Sequence, residues 1–181
     1  MNFSVIKSEH IYSGKVFDLK VDSIRYENGN EGVRQVAIHP GGAVIVPLDK
    51  ENRALVVTQY RYPLGKRIME FPAGKLNPGE DPAVCAAREL AEETGYTPVS
   101  LIKLGAICTT PGFCDEILHI YLARDLQPGN TAREDGEHDM EMEFFTMEKI
   151  ESLIASGTFF DAKSLSALYM TKIFLANESL C

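Results

Sequence analysis

The chain has 181 residues, of which 45% are hydrophobic and 24% are charged, a composition typical of a globular unit that can bury a core. Lys and Arg total 18 against 26 Asp and Glu, so the formal net charge is −8 at pH 7. An acidic surface disfavours nucleic acid and anionic lipid, so we expect neither as a partner. A small anionic ligand stays open, because bound divalent cations can reverse the charge within a cleft.

The sequence carries no evident targeting or disulfide signal. No stretch approaches the ~20 apolar residues that span a bilayer, and residues 1–10 lack the apolar segment of a signal peptide. The cysteines lack the spacing of a zinc site or a disulfide framework, which indicates reduced thiols and a cytoplasmic location. They are Cys85, Cys108, Cys114 and Cys181.

The first part of the chain is rich in strand signals. Residues 3–39 predict short strands separated by turns at residues 13–14 and 27–30. Residues 16–21 partly alternate between apolar and polar, as a half-buried strand does. The segment is either a small β-subdomain or the first strands of the main sheet. We take residues 1–39 as an N-terminal β-rich segment and residues 40–181 as the main domain.

The main domain mixes strands with helices. The β-branched runs at residues 43–48 and 54–60 predict a central hairpin around a turn at residues 49–52. Residues 102–108 and 117–122 predict two further strands. Helices are expected near residues 147–156 and 162–176, the second with Asp161 as its N-cap. This mixture indicates an α/β or α+β domain.

One further helix has clear start and stop signals. Residues 83–94 contain neither Gly nor Pro, Asp81 and Pro82 suit the helix start, and Gly95 suits the position after its last turn. At about 100° per residue, one face collects small and apolar side chains that we expect to pack on the sheet. These are Ala83, Val84, Ala87, Leu90 and Ala91. The opposite face is expected to hold Glu89, Glu92 and Glu93.

This cluster of carboxylates works against the stability of the helix. Glu89 lies three residues before Glu92 and four before Glu93, and like charges at these spacings each destabilise a helix by about 0.2–0.5 kcal/mol. The helix dipole also disfavours anions near the C-terminal end. Mg²⁺ or Mn²⁺ would bind such oxygens and remove the repulsion. The alternative is a solvated acidic face without function.

The acidic helix belongs to a longer spaced pattern. Gly74 is followed after five residues by Glu80, and after seven more by an Arg-Glu-Leu-x-Glu-Glu-x-Gly-Tyr run that begins at Arg88. The pattern is similar at every defining position to the signature of the Nudix hydrolases. The resemblance implies the α/β class, specifically the Nudix α/β/α sandwich around a mixed sheet, here with N-terminal antiparallel β-strands. It also implies hydrolysis of a diphosphate linked to another group, with Mg²⁺ as cofactor and Mn²⁺ as its alternative.

The same resemblance assigns roles within the motif. Glu89 and Glu93 are expected to ligate the metal, together with the backbone carbonyl of Ala73. Glu92 is expected to be a further ligand or to contact the ligands. Glu92 and Glu93 are thereby expected to be catalytic. The residues expected to form the structural frame of the motif are Gly74, Glu80, Arg88 and Gly95.

Sequence outside the motif resembles the branch of ADP-ribose and nucleoside-diphosphate-sugar pyrophosphatases. The features are residues 39–44, 59–63, 69–76 and 110–116, with Pro111 sixteen residues after Gly95. The branch implies a homodimer in which residues 1–39 contribute to dimerisation and to the substrate pocket. The residues expected to bind substrate are Tyr12, Phe17, Arg61, Glu70, Pro111, Gly112, Asp115 and Glu116. The alternatives are core packing for the two aromatics, a surface ion pair for Arg61, and loop structure for the two downstream acids.

Residues 133–145 form a strongly acidic segment, which is typical of a solvated loop. In the branch it resembles, a loop here supplies a Glu that acts as general base or completes the metal site. Counting without gaps places His138 at that position and Glu141 at a second family Glu. Glu137 and Asp139 flank the expected position, and a shift of one residue would make either the base. Glu137 and Glu141 are the preferred candidates.

The resulting functional hypothesis is Mg²⁺-dependent hydrolysis of the phosphoanhydride of nucleoside diphosphate sugars, such as ADP-ribose and UDP- or GDP-hexoses. The products would be a nucleoside monophosphate and a sugar phosphate. One alternative keeps the chemistry but changes the substrates to dinucleoside polyphosphates or nucleoside triphosphates. Another is a nucleotide-sensing module without hydrolysis.

Overall fold

A computed structural model describes residues 2–133 and 137–179 and divides the chain into two compact units. The first unit comprises the chain up to Gly41 together with Cys108–Ile117, and the second comprises Gly42–Ile107 and the chain from Leu118 onwards. Glu134, Asp135 and Gly136 of the acidic segment lie outside the described residues, as does the predicted free thiol of Cys181. None of the helices in the described ranges is long and apolar enough to cross a membrane.

The first unit contains an antiparallel sheet of three strands. They are β1 (Phe3–Ser13), β2 (Asp18–Tyr26) and β3 (Glu31–Ile38), in the order β1-β2-β3. The predicted turn at residues 27–30 joins β2 to β3, and Gly29 adopts a positive φ of 85° there. The strand predicted from residue 16 begins at Asp18 instead.

Among its described residues, the second unit contains two sheets and three α-helices. The strands are β4 (Gly42–Pro47), β5 (Ala54–Arg61), β6 (Lys66–Glu70), β7 (Ala73–Lys75), β8 (Tyr96–Cys108), β9 (Ile117–Pro128) and β10 (Glu141–Phe145). One sheet has the order β10-β5-β6 and the other has the order β7-β4-β9-β8. The helices are α1 (Pro82–Thr94), α2 (Met147–Ala155) and α3 (Ala162–Glu178).

Strand β4 lies at the centre of this unit. It runs parallel to β9 and antiparallel to β7, so the sheet is mixed. Val44 and Val46 pack in a core cluster with residues of α2 and α3, whereas Ala43 and Ile45 pack in a second cluster with residues of α1. Successive side chains of a strand point to opposite faces, so helices cover both faces of the sheet. A strand covered in this way is apolar throughout, which explains the unbroken run of residues 43–48.

The predicted central hairpin is wrong. Residues 43–48 and 54–60 do form strands, but β4 pairs with β7 and β9, whereas β5 pairs with β6 and β10. Only an isolated bridge between Leu48 and Ala54 joins the two runs. The turn therefore carries the chain from one sheet to the other. Part of the acidic segment, Glu141–Phe145, is strand β10, which lies at the edge of the sheet with β5 and β6.

The ends of the helices agree with their local signals. Asp81 accepts a hydrogen bond from the backbone N–H of Ala83 at 2.8 Å, and Gly95, with φ of 76°, donates to the carbonyl of Ala91 at 2.9 Å. Asp161 caps α3 by accepting from the N–H of Ser164 at 3.0 Å. The three predicted helices are thus confirmed to within about two residues.

Candidate active site

The buried face of α1 includes a carboxylate. The residues of this helix that are buried are Cys85, Ala86, Leu90, Glu93 and Thr94. Leu90 is buried as predicted, but the predicted face was wrong at two positions, because Val84 is 59% exposed and Glu93 is only 1% exposed. Positions 86, 90 and 93 repeat at four and three residues, so a single helical stripe carries Ala86 and Leu90 into the core and Glu93 with them.

Glu93 is buried without a full set of partners. Its Oε2 atom accepts no hydrogen bond from the described residues. Burial raises the pKa of Glu93 well above its ordinary value, and the negative charges of Glu137 and Glu89 raise it further. The guanidinium of Arg61 acts in the opposite direction. A bound cation would neutralise this buried carboxylate and satisfy its open oxygen.

Arg88 organises the other carboxylates of the motif. Its guanidinium donates to both oxygens of Glu80 at 2.8 and 2.9 Å, to Glu89 at 2.7 Å and to Glu92 at 3.0 Å. A fifth hydrogen bond, at 3.0 Å, reaches the carbonyl of Lys75. The hydrogen bonds from Arg88, with a smaller contribution from the Asn77 N–H, lower the pKa of Glu80 to about 2. Arg88 therefore links the loop before α1 to the acidic face of the helix.

Gly74 allows Glu89 to approach the backbone of the preceding strand. A Cβ atom placed on Gly74 would overlap the carboxylate of Glu89. The Glu89 carboxylate therefore packs against the backbone of Gly74. The preceding residue is Ala73, whose carbonyl is a predicted metal ligand. Burial, together with the charges of Glu92 and Glu137, raises the pKa of Glu89, while the hydrogen bond from Arg88 lowers it.

The described residues fit a hard divalent cation without forming a finished cage. Across residues 2–133 and 137–179, no three His, Cys, Asp or Glu side chains are arranged as a group that could hold a metal ion. The open Oε2 atom of Glu93 and the mutual repulsion of Glu89, Glu93 and Glu137 are nevertheless the features that such a cation would satisfy. All these donors are carboxylate oxygens, the ligand type that Mg²⁺ and Mn²⁺ prefer.

Arg61 lies close to this cluster and is held by Glu70. Its Nε and Nη2 atoms donate to the two Glu70 oxygens at 2.6 and 2.7 Å. Glu70 is fully buried, whereas the side chain of Arg61 is 38% exposed. The hydrogen bonds to Glu70, and then the charges of Glu70 and Glu93, raise the pKa of Arg61 despite its desolvation. Arg61 therefore does form an ion pair, as the alternative to substrate binding expected, but its partner Glu70 is buried rather than on the surface.

The acidic segment divides into two groups. The charge on Glu137 acts on both Glu89 and Glu93, so Glu137 belongs to the carboxylate cluster. Glu141 lies in β10 with its side chain 78% exposed and 3.3 Å from Arg67, which also forms an ion pair with Asp139. The contacts therefore favour Glu137 over Glu141 and Asp139 as the residue that completes the site.

The comparison with protein families agrees with this geometry. The model of the NUDIX domain matches residues 38–168, a range that includes the whole spaced pattern from Gly74 to Tyr96. The chain belongs to the Nudix hydrolase family. Nudix hydrolases in general depend on a divalent cation, which is consistent with the carboxylate cluster at Glu93.

Relatives of known activity are similar over most of the chain. The ADP-ribose pyrophosphatase of Bacillus subtilis (strain 168) is 42% identical over 90% of this chain and 89% of its own length. The methanol dehydrogenase activator of Bacillus methanolicus is 40% identical over the same shares. The crystal structure of an ADP compounds hydrolase has a TM-score of 0.88 and covers 98% of this chain and 96% of its own, at 21% identity. The Nudix fold expected from the motif is thereby confirmed.

Two basic residues of this Nudix site were missed in the sequence. Arg133 donates from Nε to the carbonyl of Glu93 at 2.8 Å and from Nη1 to the carbonyl of Met140 at 2.6 Å. Lys163 forms an ion pair with Glu70. Neither residue is part of the Nudix motif. Arg133 comes directly before the run of acidic residues, which gives a weak local signal, but the hydrogen bonds and ion pair of these two residues connect segments that are distant in sequence.

The first unit holds the remaining predicted residues of the Nudix site. Tyr12 and Phe17 contact each other with ring centroids 6.0 Å apart, and both are exposed, which argues against core packing. Pro111 and Gly112 line a cavity of about 630 Å³ within this unit. Their role in substrate binding stays a prediction.

Asp115 and Glu116 are already engaged within the same unit. Asp115 accepts from the backbone N–H of His39 at 2.8 Å. Glu116 lies 3.2 Å from His39 Nδ1 and accepts from the hydroxyl of Thr109 at 2.6 Å. These contacts favour the loop-structure alternative for both acids.

Proposed function

We propose that this Nudix hydrolase is a Mg²⁺-dependent pyrophosphatase of nucleoside diphosphate sugars, with ADP-ribose as the leading substrate. The observation that carries the proposal is the buried Glu93 with its open oxygen, flanked by Glu89 and Glu137 and close to the guanidinium of Arg61. Such a site pairs a cation-binding cluster with an anion-binding group, as a diphosphate requires. The names of the Bacillus subtilis relative and of the ADP compounds hydrolase support an adenosine diphosphate compound.

Different residues of the chain are suited to binding the cation, binding the diphosphate and accepting the proton. Glu89 and Glu93, with the Ala73 carbonyl, would hold Mg²⁺, which when bound neutralises the diphosphate and acidifies a water molecule. Arg61 binds and orients the diphosphate. Its Nε and Nη2 atoms are fixed by Glu70, whereas its Nη1 atom makes no hydrogen bond among the described residues. Glu137 accepts the proton of the attacking water. Cleavage of the P–O–P bond then releases a nucleoside monophosphate and a sugar phosphate.

We also propose that the active form is a homodimer built through the first unit. Both faces of β1 are exposed, and its apolar side chains are joined by others on neighbouring segments of the unit. They include Phe3, Val5, Ile6, Ile11, Val16 and Val33. Contiguous apolar surface on a soluble protein marks an interaction site. Light scattering that gives a monomer at assay concentrations would refute this part.

A cytoplasmic location is the final part of the proposal. It is supported by the free thiols of Cys85, Cys108 and Cys114.

A substrate panel tests the main proposal. Release of nucleoside monophosphate is measured with Mg²⁺ for ADP-ribose, UDP-glucose, GDP-mannose, a dinucleoside tetraphosphate and the nucleoside triphosphates. The proposal expects the highest kcat/KM for ADP-ribose and loss of turnover in EDTA. If triphosphates or dinucleoside polyphosphates are turned over far better than any sugar nucleotide, the proposal is refuted. The protein would then be a hydrolase of dinucleoside polyphosphates or nucleoside triphosphates. Binding of ADP-ribose without turnover in Mg²⁺ or Mn²⁺ would favour the sensing module.

A further inference from the structure

A buried network joins α3 to the arginine of the site. Glu70 is fully buried and accepts from Arg61 and also from the ammonium of Lys163. The side chain of Lys163 is 16% exposed, and its Nζ atom lies 2.9 Å from Oδ2 of Asp161. Lys163 therefore bridges two carboxylates, one from β6 and one at the N-cap of α3.

The network also fixes the backbone that follows Glu70. Oδ2 of Asp161 accepts from the hydroxyl of Ser164 at 2.6 Å, and that hydroxyl accepts from the backbone N–H of Phe71 at 2.8 Å. The first turn of α3 thus holds both the side chain of Glu70 and the main chain of Phe71. Phe71 is two residues before Ala73, so the anchor lies beside the predicted metal-binding carbonyl.

The charges of the network balance only when Lys163 is included. Arg61 and Lys163 carry two positive charges, and Glu70 and Asp161 carry two negative charges. Without Lys163 the group would have a net charge of −1. Arg61 would then be the sole cation facing Glu70, whose charge already raises the pKa of the nearby Glu93. An anionic substrate would meet a weaker positive potential.

We propose that Lys163 is a positioning residue for diphosphate binding. It neutralises and immobilises Glu70, so that the charge and the free Nη1 edge of Arg61 remain directed at the substrate. This inference rests on the proposed role of Arg61 as the diphosphate clamp. Lys163 itself does not touch the reacting atoms.

The first test removes the charge with little change in volume. Lys163→Met is expected to raise KM for ADP-ribose about tenfold at low salt while kcat changes by less than about twofold. Lys163→Arg should restore KM to within about threefold of wild type, because it keeps the charge. Lys172→Met is the matched control, since Lys172 lies on the same helix and pairs with the exposed Glu151. Unchanged KM in Lys163→Met would overturn the proposal.

A double-mutant cycle separates positioning from a general loss of structure. If Lys163 acts through Arg61, Lys163→Met should lower kcat/KM about tenfold in the wild-type background and by less than about twofold in Arg61→Ala. An equal loss in both backgrounds would overturn the role of Lys163. Wild-type kcat/KM in Arg61→Ala alone would instead overturn the clamp in the proposed function.

The cycle stays informative if one variant is unstable. Urea denaturation is measured for every variant, and Lys163→Gln, which keeps a hydrogen-bond donor, replaces Lys163→Met if the latter does not fold. The expected rise in KM is the same, because the charge is lost in both. A normal KM for a folded Lys163→Gln would contradict the electrostatic argument.

Discussion

Replacing Glu93 by Gln distinguishes the loss of stability caused by burying its charge from its proposed role in binding a cation. Glu93 is 1% exposed and no described residue donates a hydrogen bond to its Oε2 atom, and an unsatisfied buried polar group costs about 1–3 kcal/mol. Glu93→Gln removes the buried charge at nearly constant volume. We therefore expect the free energy of unfolding of the metal-free protein at pH 8 to rise by about 1–3 kcal/mol. The same variant should lose at least about 100-fold in kcat, because it lacks the cation ligand that we propose Glu93 to be.

The direction of the pH dependence follows from the raised pKa. Between 4.5 and the higher folded pKa of Glu93, the folded chain keeps a proton that the unfolded chain has released. The wild-type protein should therefore lose stability as pH rises through this window, and the advantage of Glu93→Gln should grow over the same window. Urea denaturation in EDTA at pH 5 and pH 8 measures both effects.

Glu92→Gln is the matched control for Glu93→Gln. Glu92 lies on the same turn, but its side chain is 37% exposed and paired with Arg88, so its replacement should change stability by less than about 1 kcal/mol. A second readout is thermal stabilisation by Mg²⁺, which the wild type should show and Glu93→Gln should lack. A Glu93→Gln protein that is less stable than wild type at pH 8 in EDTA would refute the reasoning.

Four further substitutions test the residues around the site. Gly74→Ala should lower kcat at least about tenfold, because the new Cβ atom would displace the Glu89 carboxylate. A wild-type kcat in this variant would refute this steric argument. Arg133→Met should reduce kcat several-fold with an unchanged urea midpoint, since it frees the acidic segment; a shifted midpoint would assign Arg133 to stability instead. Glu137→Gln should lower kcat about 100-fold and Glu141→Gln less than about twofold, and the reverse order would exchange the two assignments.

Local signals predicted the parts of the fold that depend on neighbouring residues. Asp81 and Gly95 act within a turn of their own helix, so the ends of α1 could be predicted from the sequence. The Nudix pattern likewise placed Arg88 and Glu80 in the structural frame of the motif, and the structure adds that they bind each other.

Long-range pairing accounts for the errors. Residues 43–48 and 54–60 have the composition of paired strands, but the choice of partner depends on β9 and β10, which are distant in sequence. The helical face was misjudged because Glu93 shares the stripe of Ala86 and Leu90, and polar character alone placed it on the solvent side. Lys163 has the appearance of an ordinary surface lysine, and only its contact with Glu70 distinguishes it.

The bond between the Phe71 N–H and Ser164 Oγ joins residues 93 positions apart, and this separation has a consequence during synthesis. The ribosome releases the segment from Arg61 to Gly95 well before the first turn of α3. A nascent polypeptide therefore carries the entire motif while Glu70 still lacks its second cation and the backbone at Phe71 lacks its anchor. The site is therefore expected to become complete only after the first turn of α3 has been made, and a chain that stops before Asp161 would have an intact signature and an unfinished site.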